Sequence, residues 1–145
     1  GLDADISQAS GIGLSSEALG DFQELKLKKS YRYILYGLNS ARTEIVVLKT
    51  STAEDYDDFI ADLPDSECRW AVYDFQFEVP TGGKRNKLVF ISWAPETARI
   101  KEKMLYAAAT DRLRTSLNGI AVDISATEQS EVSYEAGTVP IAYFP

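Results

Sequence analysis

Apolar residues recur along this chain at two different spacings, and the switches between them mark out its elements. Ala18, Phe22 and Leu25 fall at i, i+4 and i+7 behind Ser15 or Ser16 as a cap, which predicts a helix to about Lys26. Residues 31–38 and 43–49 are rich in β-branched and aromatic side chains. The short link Asn39-Ser40-Ala41-Arg42 between them predicts a β-hairpin. Ser51 and Glu54 have capping-box spacing and predict a short helix ending at Leu63, before Pro64. Tyr73, Phe75, Phe77 and Val79 then alternate with Asp74, Gln76 and Glu78, the period of a strand with one buried face. Gly82-Gly83 makes a turn, and residues 87–93 return as a largely apolar strand.

After Pro95, residues 96–117 contain neither proline nor glycine and predict a long helix stopped by Asn118-Gly119. Ile100, Met104 and Ala108 lie within about 80° on its wheel and form the predicted buried stripe. Leu113 and Leu117 fall nearly opposite, so a kink is expected near residues 107–110. Arg99, Lys103 and Arg114 share an arc of about 60° away from the first stripe, a candidate binding face. Residues 120–124 read as a last short strand. Strands in neighbouring pairs with helices between them predict an α/β (α+β) domain, a mixed central sheet flanked by helices. Residues 1–13 read as a mobile N-terminal arm, and nothing marks a second domain.

Charge changes this picture more than overall composition does. The 145 residues carry a net charge of -7, with 45% apolar and 26% charged residues, ordinary for one folded domain. Residues 84–114, however, hold eight basic and three acidic residues, a local +5 against -12 for the remainder. An acidic chain with one basic segment suits a specific acidic surface better than nucleic acid, although a solvated helix face explains the clustering equally well. No apolar run reaches the roughly 18 residues of a membrane span. The first residues lack the basic-then-apolar pattern of a secretion signal, and the single Cys68 fits a reducing compartment. A cytoplasmic location is therefore expected.

Catalytic chemistry is hard to assemble from these residues. The chain has no histidine, which removes the usual general base and rules out Ser-His-Asp and Cys-His arrangements. Cys68 has no companion ligand for zinc and reads as a small buried hydrophobe. Gly82-Gly83-Lys84-Arg85 lacks the glycine spacing and the Lys-Ser/Thr pair of a phosphate loop. No carboxylate pair stands out as acid and base. A non-enzymatic protein without cofactor or metal is expected.

Several segments, in order, resemble the actin-depolymerising factor/cofilin family. They include Tyr31-Arg32-Tyr33-Ile34-Leu35-Tyr36-Gly37-Leu38-Asn39, Cys68-Arg69-Trp70-Ala71-Val72-Tyr73-Asp74-Phe75 and Arg85-Asn86-Lys87. The strongest is Trp93-Ala94-Pro95-Glu96-Thr97-Ala98 with Ile100-Lys101-Glu102-Lys103-Met104-Leu105-Tyr106-Ala107. Leu117-Asn118-Gly119 and Ser130-Glu131-Val132-Ser133-Tyr134 close the match, which spans about residues 10–135.

The resemblance implies an ADF-homology (gelsolin-like) fold over residues 14–136. It also implies a monomeric protein that binds actin monomers and filaments and promotes severing and depolymerisation. Ser10, Gly11, Ile12, Lys101, Lys103, Met104 and Arg114 match the monomer and filament surface of the family. Lys84, Arg85 and Lys87 match its filament-specific hairpin, whose cations could also hold phosphoinositides. Ser10 matches a serine whose phosphorylation switches binding off in many members.

The chain departs from the family pattern in three places. Nine residues precede Ser10, and Arg99 and Thr115 replace the usual proline and basic residue. In place of a charged C-terminal helix, residues 137–145 carry a glycine and two prolines and are expected to be extended, packing Ile141, Tyr143 and Phe144 on the body. Monomer binding with weak severing is the alternative that this tail suggests.

Overall fold

A computed structural model describes residues 11–133. Ser10 and the tail of residues 137–145 lie outside the described residues, as does most of the predicted arm. Ile12 and Gly13 do not behave as an arm. Ile12 is buried in the core, and strand β1 (Gly13–Leu14) pairs in parallel with β3 (Glu44–Ser51).

Helix α1 (Ser16–Lys28) starts where Ser15 Oγ accepts the Ala18 N–H, and it buries the expected Ala18, Phe22 and Leu25. The first predicted hairpin forms from β2 (Tyr33–Leu38) and β3 (Glu44–Ser51), with Asn39 Oδ1 accepting two backbone N–H groups across the turn. The next helix, α2 (Tyr56–Ala61), begins later than its apparent capping box. Ser51 is still part of β3, and Asp55 provides the cap by accepting the Asp57 N–H. The second hairpin joins β4 (Arg69–Glu78) to β5 (Lys84–Trp93) in ten consecutive antiparallel pairs. Its turn closes through Gly82 at φ 95°, a backbone conformation that glycine adopts without penalty.

Helix α3 (Ile100–Arg114) begins after a separate turn from Pro95 to Ala98, rather than at Pro95. Strand β6 (Ile120–Ala126) then joins the far edge of the sheet, giving the order β1-β3-β2-β4-β5-β6. Both edge pairings are parallel and the inner ones antiparallel, so the sheet is mixed as predicted.

The sheet is covered on both faces. Phe22 and Leu25 of α1 and Tyr106, Ala109 and Leu113 of α3 pack with Ile34, Tyr36, Trp70, Val72 and Phe90. On the other face Phe59 and Leu63 pack with Tyr33, Leu35, Tyr73, Phe75 and Ile91. Cys68 is buried as expected, and that burial pushes its thiol pKa upward, which disfavours the reactive thiolate.

Two sequence expectations fail inside this core, for identifiable reasons. The β4 strand is central, so its even positions are also covered: Trp70 and Val72 meet the α1/α3 layer, and Asp74 is fully buried rather than solvent-facing. The buried stripe of α3 uses other residues than the wheel predicts. Ile100 is 75% and Met104 67% exposed, while Tyr106, Ala109 and Leu113 are buried. Those three share one face at i, i+3 and i+7, so nothing requires a kink, and α3 is an uninterrupted α-helix.

Polar contacts hold α3 in this orientation. Tyr106 Oη accepts the buried Leu38 N–H at 2.9 Å, and Trp70 Nε1 donates to Thr110 Oγ1 at 3.0 Å. Removing the Tyr106 hydroxyl leaves the Leu38 N–H without its acceptor. Tyr106→Phe is therefore expected to cost about 1–3 kcal/mol, read as a lower urea midpoint at unchanged slope. An unchanged midpoint would show that this bond contributes nothing to stability.

Candidate functional site

The fold turns one side of α3 outward, and that side gathers three of the predicted surface residues, Lys101, Lys103 and Met104. Ile100 and Met104 lie one helical turn apart on it, with Lys101 exposed and Lys103 half-buried beside them. The Lys103 ammonium donates to the Glu96 carbonyl at 2.8 Å, which fixes its stem along the start of the helix. An apolar strip this exposed, with cations next to it, is how a helix presents itself to a partner rather than to its own core.

The remaining predicted residues are distributed unevenly. Gly11 is exposed, whereas the Ile12 side chain belongs to the core and is not available as a contact. Arg114 is already committed: its Nε and Nη2 meet the two carboxylate oxygens of Asp123 at 2.6 and 3.2 Å. That pair pushes the Arg114 pKa still higher and ties the end of α3 to β6. Arg99, expected on the same arc, is the exposed N-cap of the helix and makes no side-chain cap bond.

Lys84, Arg85 and Lys87 form a separate site on β5. Lys84 and Arg85 are exposed at the hairpin end, and Lys87 is half-buried further along the strand. Cross-strand register sets Lys84 opposite Glu78 and Arg85 opposite Phe77. A ten-pair ladder gives this end of the hairpin a defined position relative to the body.

Two features of the site were not among the predicted residues. Ile100 was assigned to the core, although Tyr106, Ala109 and Leu113 alone make a sufficient buried stripe. Arg42, at φ 60° in the β2–β3 turn, bonds Glu102 through Nε and Nη2 at 2.8 and 2.6 Å and braces the first turn of α3. Among the described residues, no group of three or more acidic, histidine or cysteine side chains is placed to hold a metal. Nor is any described helix long and apolar enough to cross a membrane.

The sequence model of cofilin/tropomyosin-type actin-binding proteins matches residues 11–138. This chain belongs to the cofilin/ADF family. A cofilin of Mycosarcoma maydis is 54% identical over 127 residues, 88% of this chain and 91% of that protein. The cofilin of Schizosaccharomyces pombe is 52% identical over 126 residues, 87% and 91% of the two chains. Among solved structures, a cofilin from Streptomyces griseoflavus superposes with a TM-score of 0.81 at 52% identity, covering 86% of this chain and 92% of that one. Actin depolymerization factor 2 of Plasmodium berghei follows the same fold with a TM-score of 0.76 at 30% identity, covering 83% and 90%. The cofilin/ADF fold is thus the observed mixed sheet with helices on both faces.

Proposed function

We propose that this chain binds actin monomers and filaments and promotes filament severing and depolymerisation, acting by binding rather than by catalysis. The observation that carries the reading is the outward face of α3, where Ile100 and Met104 stand exposed beside Lys101 and Lys103. An unbranched methionine can fill an irregular apolar groove while the adjacent ammonium groups meet carboxylates at its rim. The family match assigns Ser10 and Gly11 to the same monomer contact. A phosphate on Ser10 would add close to two negative charges to a surface meant for an acidic partner and would weaken binding. Lys84, Arg85 and Lys87 form the second, filament-specific contact. Membership of the cofilin/ADF family supports these assignments and, with them, a cytoplasmic role at the actin cytoskeleton.

The test uses the whole chain with preformed filaments. The protein is expected to pellet with filamentous actin, and microscopy is expected to show filaments shortening with time. Failure to co-sediment, or filament lengths that do not change, would overturn the corresponding half of the proposal. A phosphoinositide-binding role is distinguished by liposomes: vesicle binding that survives Lys101→Ala and Lys103→Ala would place that activity elsewhere on the molecule.

A further inference from the structure

The filament-facing hairpin does not stand alone. Lys84 and Arg85 line a groove of about 520 Å³ whose other wall is formed by Lys29, at the end of α1, and Arg32, just before β2. We propose that these four cations form one binding groove, and that it receives an acidic segment of a filament subunit. The proposal rests on the filament reading above and extends it to two residues far from the hairpin in sequence.

Charge balance is the first argument. Among the described residues no ion pair holds Arg32, Lys84 or Arg85. Among the described residues the one exposed acid on the groove wall is Glu78, opposite Lys84 across the ladder. Behind the groove lies the fully buried Asp74, which meets the Lys29 ammonium at 3.5 Å and so offsets that cation. Three uncommitted cations then face one exposed carboxylate, and the groove remains short of negative charge.

Geometry is the second argument. Lys29 occupies a left-handed conformation at φ 55°, where glycine is the usual occupant, at a cost of about 1 kcal/mol. A glycine there would forgo the ammonium contact with Asp74. The other Asp74 oxygen accepts from Asn86 Nδ2 at 2.7 Å, one residue beyond Arg85, and the Asp74 N–H donates to the Arg32 carbonyl at 2.8 Å. One buried residue therefore touches the loop after α1, the approach to β2 and the cationic end of β5. The backbone segments that carry the four cations are thereby held together rather than lying on independent loops.

Shape and overall charge select the partner. A concave groove suits a short protruding acidic segment, and the net charge of -7 opposes adsorption to a broadly anionic surface.

Full-length Arg32→Ala, Arg32→Lys and the double variant Lys84→Ala/Arg85→Ala test the proposal by filament co-sedimentation, monomer titration and vesicle binding. Arg32→Ala is expected to weaken filament affinity about five- to tenfold, with monomer affinity within twofold and an unchanged melting temperature. Arg32→Lys is expected to retain most filament binding, and the salt dependence of Arg32→Ala is expected to be shallower than that of the parent. If the hairpin variant loses filament binding and Arg32→Ala does not, the shared groove is wrong while the filament reading stands. If the hairpin variant binds filaments normally, both fall. Loss of binding to anionic vesicles, with filament affinity intact in Arg32→Ala, would also overturn the proposal in favour of a lipid partner.

Discussion

Replacing Lys101, Lys103 and Met104 together by alanine is expected to weaken actin-monomer binding by roughly a hundredfold and to leave the fold intact. A well-placed apolar anchor and its flanking cations each contribute about 1–2 kcal/mol when truncated, and some 3 kcal/mol in total corresponds to two decades in Kd. The stability side of the prediction follows from exposure. Met104 is 67% exposed and Lys101 is exposed, so neither packs in the core. Lys103 makes a single exposed bond to the Glu96 carbonyl, and alanine favours helix at all three positions. Titration against fluorescently labelled monomer reads the affinity, and a thermal melt checks the fold. A loss smaller than threefold with an unchanged melt would show that α3 does not face actin. Filament binding should fall as well, which separates this face from the hairpin groove. Arg114 is left out because its guanidinium is already engaged by Asp123 and would have to surrender two hydrogen bonds to contact a partner.

The same residues explain which parts of the fold could be read from sequence. Helix α1 and both hairpins were legible because the residues that set their periods, such as Ala18, Phe22 and Leu25, are buried, even though Leu27 of α1 and Leu48 of β3 are exposed. In α3 two kinds of apolar residue are interleaved. Ile100 and Met104 serve the outside, while Tyr106, Ala109 and Leu113 serve the inside, and a wheel cannot distinguish those purposes. The conflict that suggested a kink was therefore a sign of two faces on one regular helix. Alternation from Tyr73 onward predicts an open face for Asp74, which the structure buries. Trp70 and Val72 share its parity, and their size indicates a strand covered on both sides. The capping box at Ser51 misled because β3 runs through Ser51, leaving Asp55 to start the helix. The groove formed by Lys29, Arg32, Lys84 and Arg85 had no sequence signature. Its residues meet only because Asp74 lies where α1 ends above the middle of the sheet.

Trp70→Ala should produce the largest loss of stability among single substitutions at the α3 interface, about 3–5 kcal/mol. Trp70 is 1% exposed, and its ring centroid lies 4.4 Å from that of Tyr106, the residue that also caps the Leu38 N–H. Its indole N–H donates to Thr110 Oγ1, which in turn donates to the Tyr106 carbonyl. Alanine would open a cavity beneath α3 and break the first bond of that relay. For a domain of this length each kcal/mol moves the melting temperature by about 2–4 °C, so a fall of roughly 6–20 °C is expected. Against a typical total of about 5–15 kcal/mol the variant should still fold at low temperature, which permits the informative comparison. The surface strip of Ile100, Lys101, Lys103 and Met104 contains no atom removed by this change. Monomer affinity measured at 4 °C should therefore fall less than in the alanine triple variant, and only to the extent that α3 shifts on its bed. A melting temperature within 2 °C of the parent would mean that Trp70 does not anchor the helix. A full loss of binding in a cold, folded variant would mean that seating α3 on the sheet governs recognition as strongly as the side chains it displays.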